Sequence, residues 1–152
     1  MDWDLEAPYI IDVRVTAEDV DALGHANNVS YVRWLERCAW QHSESLGLSM
    51  TEYRELDRAM VVFRHEIDYL AAAYQEEVLA VGTWIVESDD RLRLVRQFQI
   101  IRPADGCTLL RARSTYVCMA LSSGKARRMP AAFVEHYGGA MISKPVSELE
   151  QG

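Results

Sequence analysis

The chain has 152 residues, about half of them apolar (49%) and a quarter charged (26%), which suits one globular domain over residues 1–152 with a buried core. A net charge of −7 and a pI near 5.1 count against a sequence-independent grip on nucleic acid, which needs a basic surface to displace counterions. Three cysteines, Cys38, Cys107 and Cys118, are an odd number with no Cys-x-x-Cys pair, so neither a disulfide framework nor a zinc knuckle is encoded. The start, Met1-Asp2-Trp3-Asp4-Leu5-Glu6, is acidic where a signal or transit peptide is basic, and no apolar run approaches the roughly 20 residues that cross a bilayer. A cytoplasmic protein with no membrane partner is expected.

In chain order, Tyr9 to Val15 alternate as a strand, with Ile11, Val13 and Val15 on one face and Asp12 and Arg14 on the other. A loop follows from Thr16 to Asn28. From Val29 to Leu46 the polar positions Arg33, Glu36, Arg37, Gln41 and Glu44 recur at spacings of three and four. They leave a narrow polar stripe on a helix otherwise made of Val29, Tyr31, Val32, Trp34, Leu35, Cys38, Ala39 and Trp40, so this helix should be mostly buried. Asn27 or Asn28 can cap its start, and Gly47 closes it. After a polar connector come four strand-like runs, Met60–Leu70, Val78–Ser88, Leu92–Ile101 and Leu109–Leu121. Alternation places Val61, Phe63, His65, Ile67 and Tyr69 on one face of the first, and Val78, Ala80, Gly82, Trp84 and Val86 on one face of the second. Asp89-Asp90, Pro103-Ala104-Asp105-Gly106 and Ser122-Ser123-Gly124 read as the turns between and after them. A short helix is expected from Pro130 onward, a core over about 9–130 and a polar tail over 138–152.

This order, a strand, a long helix and then a four-stranded meander, gives an α+β domain, an antiparallel sheet of about five strands wrapped around one long central helix. A single helix cannot cover both faces of such a sheet, so self-association is expected.

The densest chemistry lies in Asp19-Val20-Asp21-Ala22-Leu23-Gly24-His25-Ala26-Asn27-Asn28, just ahead of the long helix. Two carboxylates, an imidazole, a glycine and two carboxamides stand where a helix offers unpaired N–H groups and the positive end of its dipole. One segment can therefore supply both a base and an electrophile. Asp19 reads as a carboxylate holding the loop through backbone amides, and His25 as a residue that either fixes loop geometry or orients Asp21 or the substrate. His25, His42, His65 and His136 show no His-Glu-x-x-His or similar spacing, so no metal is expected. No Gly-x-Ser-x-Gly elbow, Walker loop or Gly-x-Gly-x-x-Gly occurs. Trp34, Trp40 and Trp84 read as core or as pocket wall.

Asp19, Asp21, Gly24, His25, Asn27, Asn28 and Tyr31, together with the strand Ile67-Asp68-Tyr69 and the stretch Gly124-Lys125-Ala126-Arg127-Arg128-Met129-Pro130, resemble the hot-dog-fold acyl-thioester hydrolases of the 4-hydroxybenzoyl-CoA thioesterase type. The resemblance covers roughly Tyr9 to Pro130. It implies an acyl-CoA thioesterase with Asp21 as base or nucleophile, the Asn28 N–H polarising the thioester carbonyl and His25 assisting. It also implies substrate contacts from Asp19, Gly24, Asn27 and Tyr31, an acyl pocket lined by Ile67 and Tyr69 of a partner subunit, and a homodimer or homotetramer with active sites at the interface. No cofactor is implied beyond the coenzyme A of the substrate, whose phosphates Lys125, Arg127 and Arg128 could meet.

Two departures stand out. Where the family often has a Pro-Ala and a Gly-Asp turn, this chain has Leu70-Ala71-Ala72-Ala73-Tyr74-Gln75-Glu76-Glu77. Relatives acting on acyl carrier protein carry an Asn two residues after the catalytic Asp, where this chain has Leu23, so their amide-assisted version of the mechanism is not expected, and an acyl-carrier-protein thioesterase stays open as an alternative. The chemistry is consistent with one carboxylate: a thiol of pKa roughly 8.5 leaves as thiolate without a strong general acid. A hot-dog dehydratase or hydratase fits less well, since His25 and Asp21 share one loop instead of facing each other across a site. A catalytically silent acyl-binding protein is the remaining alternative.

Overall fold

The computed structural model describes residues 1–142; most of the expected tail over 138–152 lies outside the described residues. The elements are β1 (Tyr9–Arg14), α1 (Asn28–Ser45), α2 (Met50–Leu56), β2 (Ala59–Tyr69), β3 (Val78–Ser88), β4 (Arg93–Arg102), β5 (Cys107–Met119) and α3 (Ala131–Gly139), with one 3-10 turn at Ala17–Asp19. The strands form one antiparallel sheet in the order β1-β3-β4-β5-β2. The sheet curls around α1, which is the hot-dog arrangement.

Burial of one side of α1 holds this arrangement together. Tyr31, Trp34, Leu35, Cys38, Ala39 and His42 recur at helical spacing and are buried, and the apolar members meet Ile11, Val13, Val15, Leu79, Val81, Phe98 and Ile100 from the sheet. Each such side chain contributes on the order of 2 kcal/mol by leaving water. A second cluster joins Tyr53 of α2 and Phe133 and Tyr137 of α3 to Ile85 and Leu94. On the opposite face of the sheet, Trp84, Val86 and Val95 are covered by Trp3 and Leu5 from the N-terminal segment. Gly82 is required there, because a Cβ at this position would stand 2.6 Å from the Trp3 ring. The buried set therefore extends beyond 9–130 at both ends.

Several sequence expectations need correction. The polar connector after α1 contains α2, announced by a capping box in which the Ser49 hydroxyl and the Glu52 carboxylate bond each other's backbone end. α1 is not apolar on all but a narrow stripe: Val29 and Trp40 are exposed, so the helix carries apolar side chains outside its buried face. The alternation assumed for β2 breaks at a bulge between Val62 and Arg64. The extra residue, Phe63, is 70% exposed, and the phase flips across it. Val61 and Phe63 therefore do not share the inner face with Ile67, which packs against the core. β3 carries a similar shift between Ile85 and Glu87.

Candidate active site

The loop between β1 and α1 is locked by its own backbone. The Asp21 N–H donates to the His25 carbonyl at 2.9 Å and the Gly24 N–H to the Asp21 carbonyl at 3.0 Å, while the Ala26 N–H ties the loop to the Ala73 carbonyl at 2.9 Å. Gly24 makes the reversal at φ +80°, a conformation that costs a residue with a Cβ about 1 kcal/mol or more.

Within this frame the Asp21 carboxylate is exposed and only half committed. Oδ1 accepts the N–H of Leu23 at 2.9 Å and of His25 at 3.3 Å, whereas Oδ2 has no partner among the described residues. Six residues on, Asn27 caps α1, its Oδ1 accepting the Ser30 N–H at 2.8 Å. The N–H groups of Asn28 and Val29 have no acceptor among the described residues. A free carboxylate oxygen and a pair of unpaired amide donors at a helix N-terminus thus flank one short loop, and a carbonyl oxygen that gains negative charge is what such donors bind best.

Asp19 has a different environment. It is 6% exposed and accepts from the Thr16 N–H at 2.9 Å, the Thr16 hydroxyl at 3.0 Å and the Ser30 hydroxyl at 2.8 Å, with Arg33 at 4.0 Å. Burial alone would raise its pKa, but the hydrogen bonds from Thr16 and Ser30 and the charge of Arg33 outweigh burial and hold the carboxyl below its ordinary value. Its oxygens are occupied in fastening the loop to α1. The His25 ring stands edge-on to Tyr74 at 5.1 Å, and it is the backbone N–H and carbonyl of His25, not the ring, that bond Asp21. Tyr31 is buried, with its hydroxyl accepting the Ala73 N–H at 3.0 Å, and Tyr69 of the same chain packs on it at 5.5 Å. This gives the Leu70–Glu77 segment its anchor, with Glu76 at φ +73° in a conformation that glycine usually fills.

Lys125, Arg127 and Arg128 are exposed and follow β5, where Met119 pairs with Ala59 at the start of β2. Tyr69, beside the Asp21 loop, ends β2. Eleven strand residues span roughly 30 Å, so within one chain the basic cluster and the Asp21 loop lie at opposite ends of the β2/β5 pair. Among the described residues no group of three or more His, Cys, Asp and Glu side chains is arranged to hold a metal ion, and no helix is long and apolar enough to cross a membrane.

One buried polar group escaped the sequence reading. Arg96 is 2% exposed and donates to His42 Nδ1 at 2.8 Å, Ser43 Oγ at 3.1 Å and the Ala39 carbonyl at 3.4 Å. Burial, and then the Arg96 charge, push the His42 pKa down from 6.5 to about 4, so this ring stays a neutral acceptor. The signal was present, because Arg96 occupies the same alternating phase as Leu94, Phe98 and Ile100, all of them buried.

A curled antiparallel sheet around one helix, with a loop carboxylate beside that helix's N-terminus, defines a hot-dog domain of the thioesterase type. Residues 15–136 match the model of the Thioesterase-like superfamily, and the chain belongs to that family. Solved structures with the same fold include a 1,4-dihydroxy-2-naphthoyl-CoA thioesterase from Synechocystis, with 20% identity, TM-score 0.77 and coverage of 87% of this chain and 96% of that one. A probable thioesterase from Escherichia coli has 20% identity, TM-score 0.75 and coverage of 88% and 98%. A Staphylococcus aureus protein solved in complex with CoA has 18% identity, TM-score 0.79 and coverage of 90% and 87%. No curated protein matches the chain by sequence.

Proposed function

We propose that this protein hydrolyses acyl-CoA thioesters, with Asp21 as the reacting carboxylate and the Asn28 N–H as the donor to the carbonyl oxygen. The observation that carries the reading is the pairing of the free Asp21 Oδ2 with the unpaired N–H groups of Asn28 and Val29 around one rigid loop. Either Asp21 takes a proton from water as the water oxygen adds to the carbonyl carbon, or Asp21 adds directly and the resulting anhydride is hydrolysed. In both routes negative charge collects on the carbonyl oxygen, where an amide donor commonly contributes on the order of a hundredfold in rate. The carbon–sulfur bond then breaks and coenzyme A leaves as thiolate.

The site is completed by a second copy of the chain. β2 is an edge strand that exposes Val61, Val62, Phe63 and Tyr69, an apolar edge of the kind that pairs with another strand. Two-fold antiparallel pairing of β2 with its counterpart sets the start of one strand beside the end of the other. The partner's basic cluster, Lys125, Arg127 and Arg128, then comes to this chain's Asp21 loop, where it can meet the phosphates of coenzyme A. The CoA complex of the Staphylococcus aureus relative in fold supports this ligand class.

The reading is tested with a panel of aliphatic and aromatic acyl-CoA substrates, with thiol release followed by a trapping dye. Release by the wild type and not by Asp21→Asn is expected; release by both at similar rates overturns the assignment of Asp21, and release by neither overturns the activity.

A further inference from the structure

Arg96 presents a buried charge with no ion-pair partner among the described residues, and the Glu36 carboxylate borders the same cavity without reaching it. Its guanidinium is ionised at any physiological pH, it is 2% exposed, and no carboxylate among the described residues lies within ion-pair distance of it. All three of its hydrogen-bond partners are neutral. Burying a cation in this way is costly unless an anion completes the site.

Arg96 also lines a cavity of about 160 Å³ between α1 and the sheet, the size of one that admits a benzene-sized group, roughly 150 Å³. Its walls combine apolar surface from Trp40, Met60 and Val62 with a polar corner. In that corner Ser43 Oγ, itself bonded to Arg96, meets the Tyr137 hydroxyl at 3.0 Å, and Tyr137 meets the Tyr53 hydroxyl at 2.5 Å. Such a corner donates hydrogen bonds to an oxygen-rich anion, whereas a cavity for a hydrocarbon end has no use for an arginine.

The cavity and the reacting end share one border on α1. A shallow groove on the outer flank of α1 runs over Asn28, Val29, Val32, Arg33 and Glu36, and Glu36 also borders the cavity. At about 1.5 Å per helical residue, Glu36 lies about 12 Å and Trp40 about 18 Å beyond the Asn28 amide. An acyl chain held at Asn28 can follow Val29 and Val32 into the cavity with its far end at Arg96.

Resting on the thioesterase reading, we propose that Arg96 is a specificity-determining residue, and that the cavity selects acyl groups whose far end carries a carboxylate. The substrate class is then ω-carboxyacyl-CoA, the thioester of a dicarboxylic acid.

The experiment compares adipoyl-, sebacoyl- and dodecanedioyl-CoA with hexanoyl-, decanoyl- and dodecanoyl-CoA on the wild type, Arg96→Met and Arg96→Lys, alongside calorimetric titration of each protein with free sebacate. The expected result is a kcat/KM preference for the carboxylated member of at least one pair, by about tenfold to a hundredfold, the span of a hydrogen bond to a charged group. It should lie mainly in KM, vanish in Arg96→Met and be partly restored in Arg96→Lys, with sebacate binding following the same order. Equal or reversed preference at every length, without sebacate binding, overturns the proposal even if Arg96→Met fails to fold, because the wild type alone decides it. Arg96-dependent sebacate binding without turnover of any thioester instead overturns the hydrolase reading and leaves the anion site standing.

Discussion

Asp19 and Asp21 are two residues apart and chemically opposite. The oxygens of Asp19 are filled by Thr16 and Ser30, while Asp21 keeps Oδ2 free, so their asparagine variants should separate. Asp21→Asn should retain the wild-type melting temperature and lose about a hundredfold or more in kcat, the usual contribution of a positioned base. Asp19→Asn should lower the melting temperature, with a smaller loss of kcat at matched folding. The depressed pKa of Asp19 adds a signature: its stabilisation is complete above its unfolded pKa, near 3.9, and fades as pH falls through the lower folded value.

His42 acts earlier in an acid titration. Its folded pKa of about 4 lies below the ordinary 6.5, so between these values the unfolded chain binds a proton that the folded chain refuses. Stability therefore falls as pH drops from about 6.5 toward 4, by at most about 3 kcal/mol, and no further below that. Urea denaturation across this window should show the loss in the wild type and a shallower slope in His42→Gln, whose amide oxygen can still accept from Arg96. Parallel slopes would mean that other groups cause the acid sensitivity.

At the scale of elements, the start of α1 joins stability to chemistry. Asn27 satisfies the Ser30 N–H and thereby holds the first turn, and with it the free amides of Asn28 and Val29. Asn27→Ala should cost about 1 kcal/mol, as loss of an N-cap usually does, and should also lower kcat because the donors are no longer held in place. Asn27→Ser, which can still cap, should recover both. A stability loss with kcat unchanged would detach the cap from catalysis.

The ends of α1, the presence of four later strands and the terminal helix were legible because each carries its own local pattern. The sheet order was not, since nothing local in β2 says that it pairs with β5, the last strand in the chain, and not with β3. The Phe63 bulge was hidden for a related reason: a one-residue insertion preserves composition while reversing every side chain beyond it. The loop that carries Asp19 and Asp21 was legible through its motif. Arg96 was overlooked because a single arginine in a strand reads as one more solvent-facing residue until its alternation phase is checked against Leu94 and Phe98.

At the scale of the molecule, the separation of roughly 30 Å between the Asp21 loop and the basic cluster of one chain makes a sharp claim about assembly. Phe63→Arg, placed at the exposed centre of β2, should yield monomers by light scattering with greatly reduced acyl-CoA turnover; an active monomer would remove the shared site. The sharper test mixes two damaged chains. Asp21→Asn has no base but offers intact arginines, whereas Arg127→Ala/Arg128→Ala keeps the base and should raise KM for acyl-CoA with little change in kcat. If each site draws Asp21 from one chain and the arginines from the other, a mixed dimer contains one intact site and one doubly damaged site. After unfolding and refolding in equal amounts, half of the dimers are mixed, so about a quarter of the wild-type sites should return with the wild-type KM. The assay is run at substrate concentrations where neither parent turns over appreciably. Were Asp21 and the arginines drawn from one chain, no mixed dimer could contain an intact site, and the refolded mixture would do no better than the average of its parents.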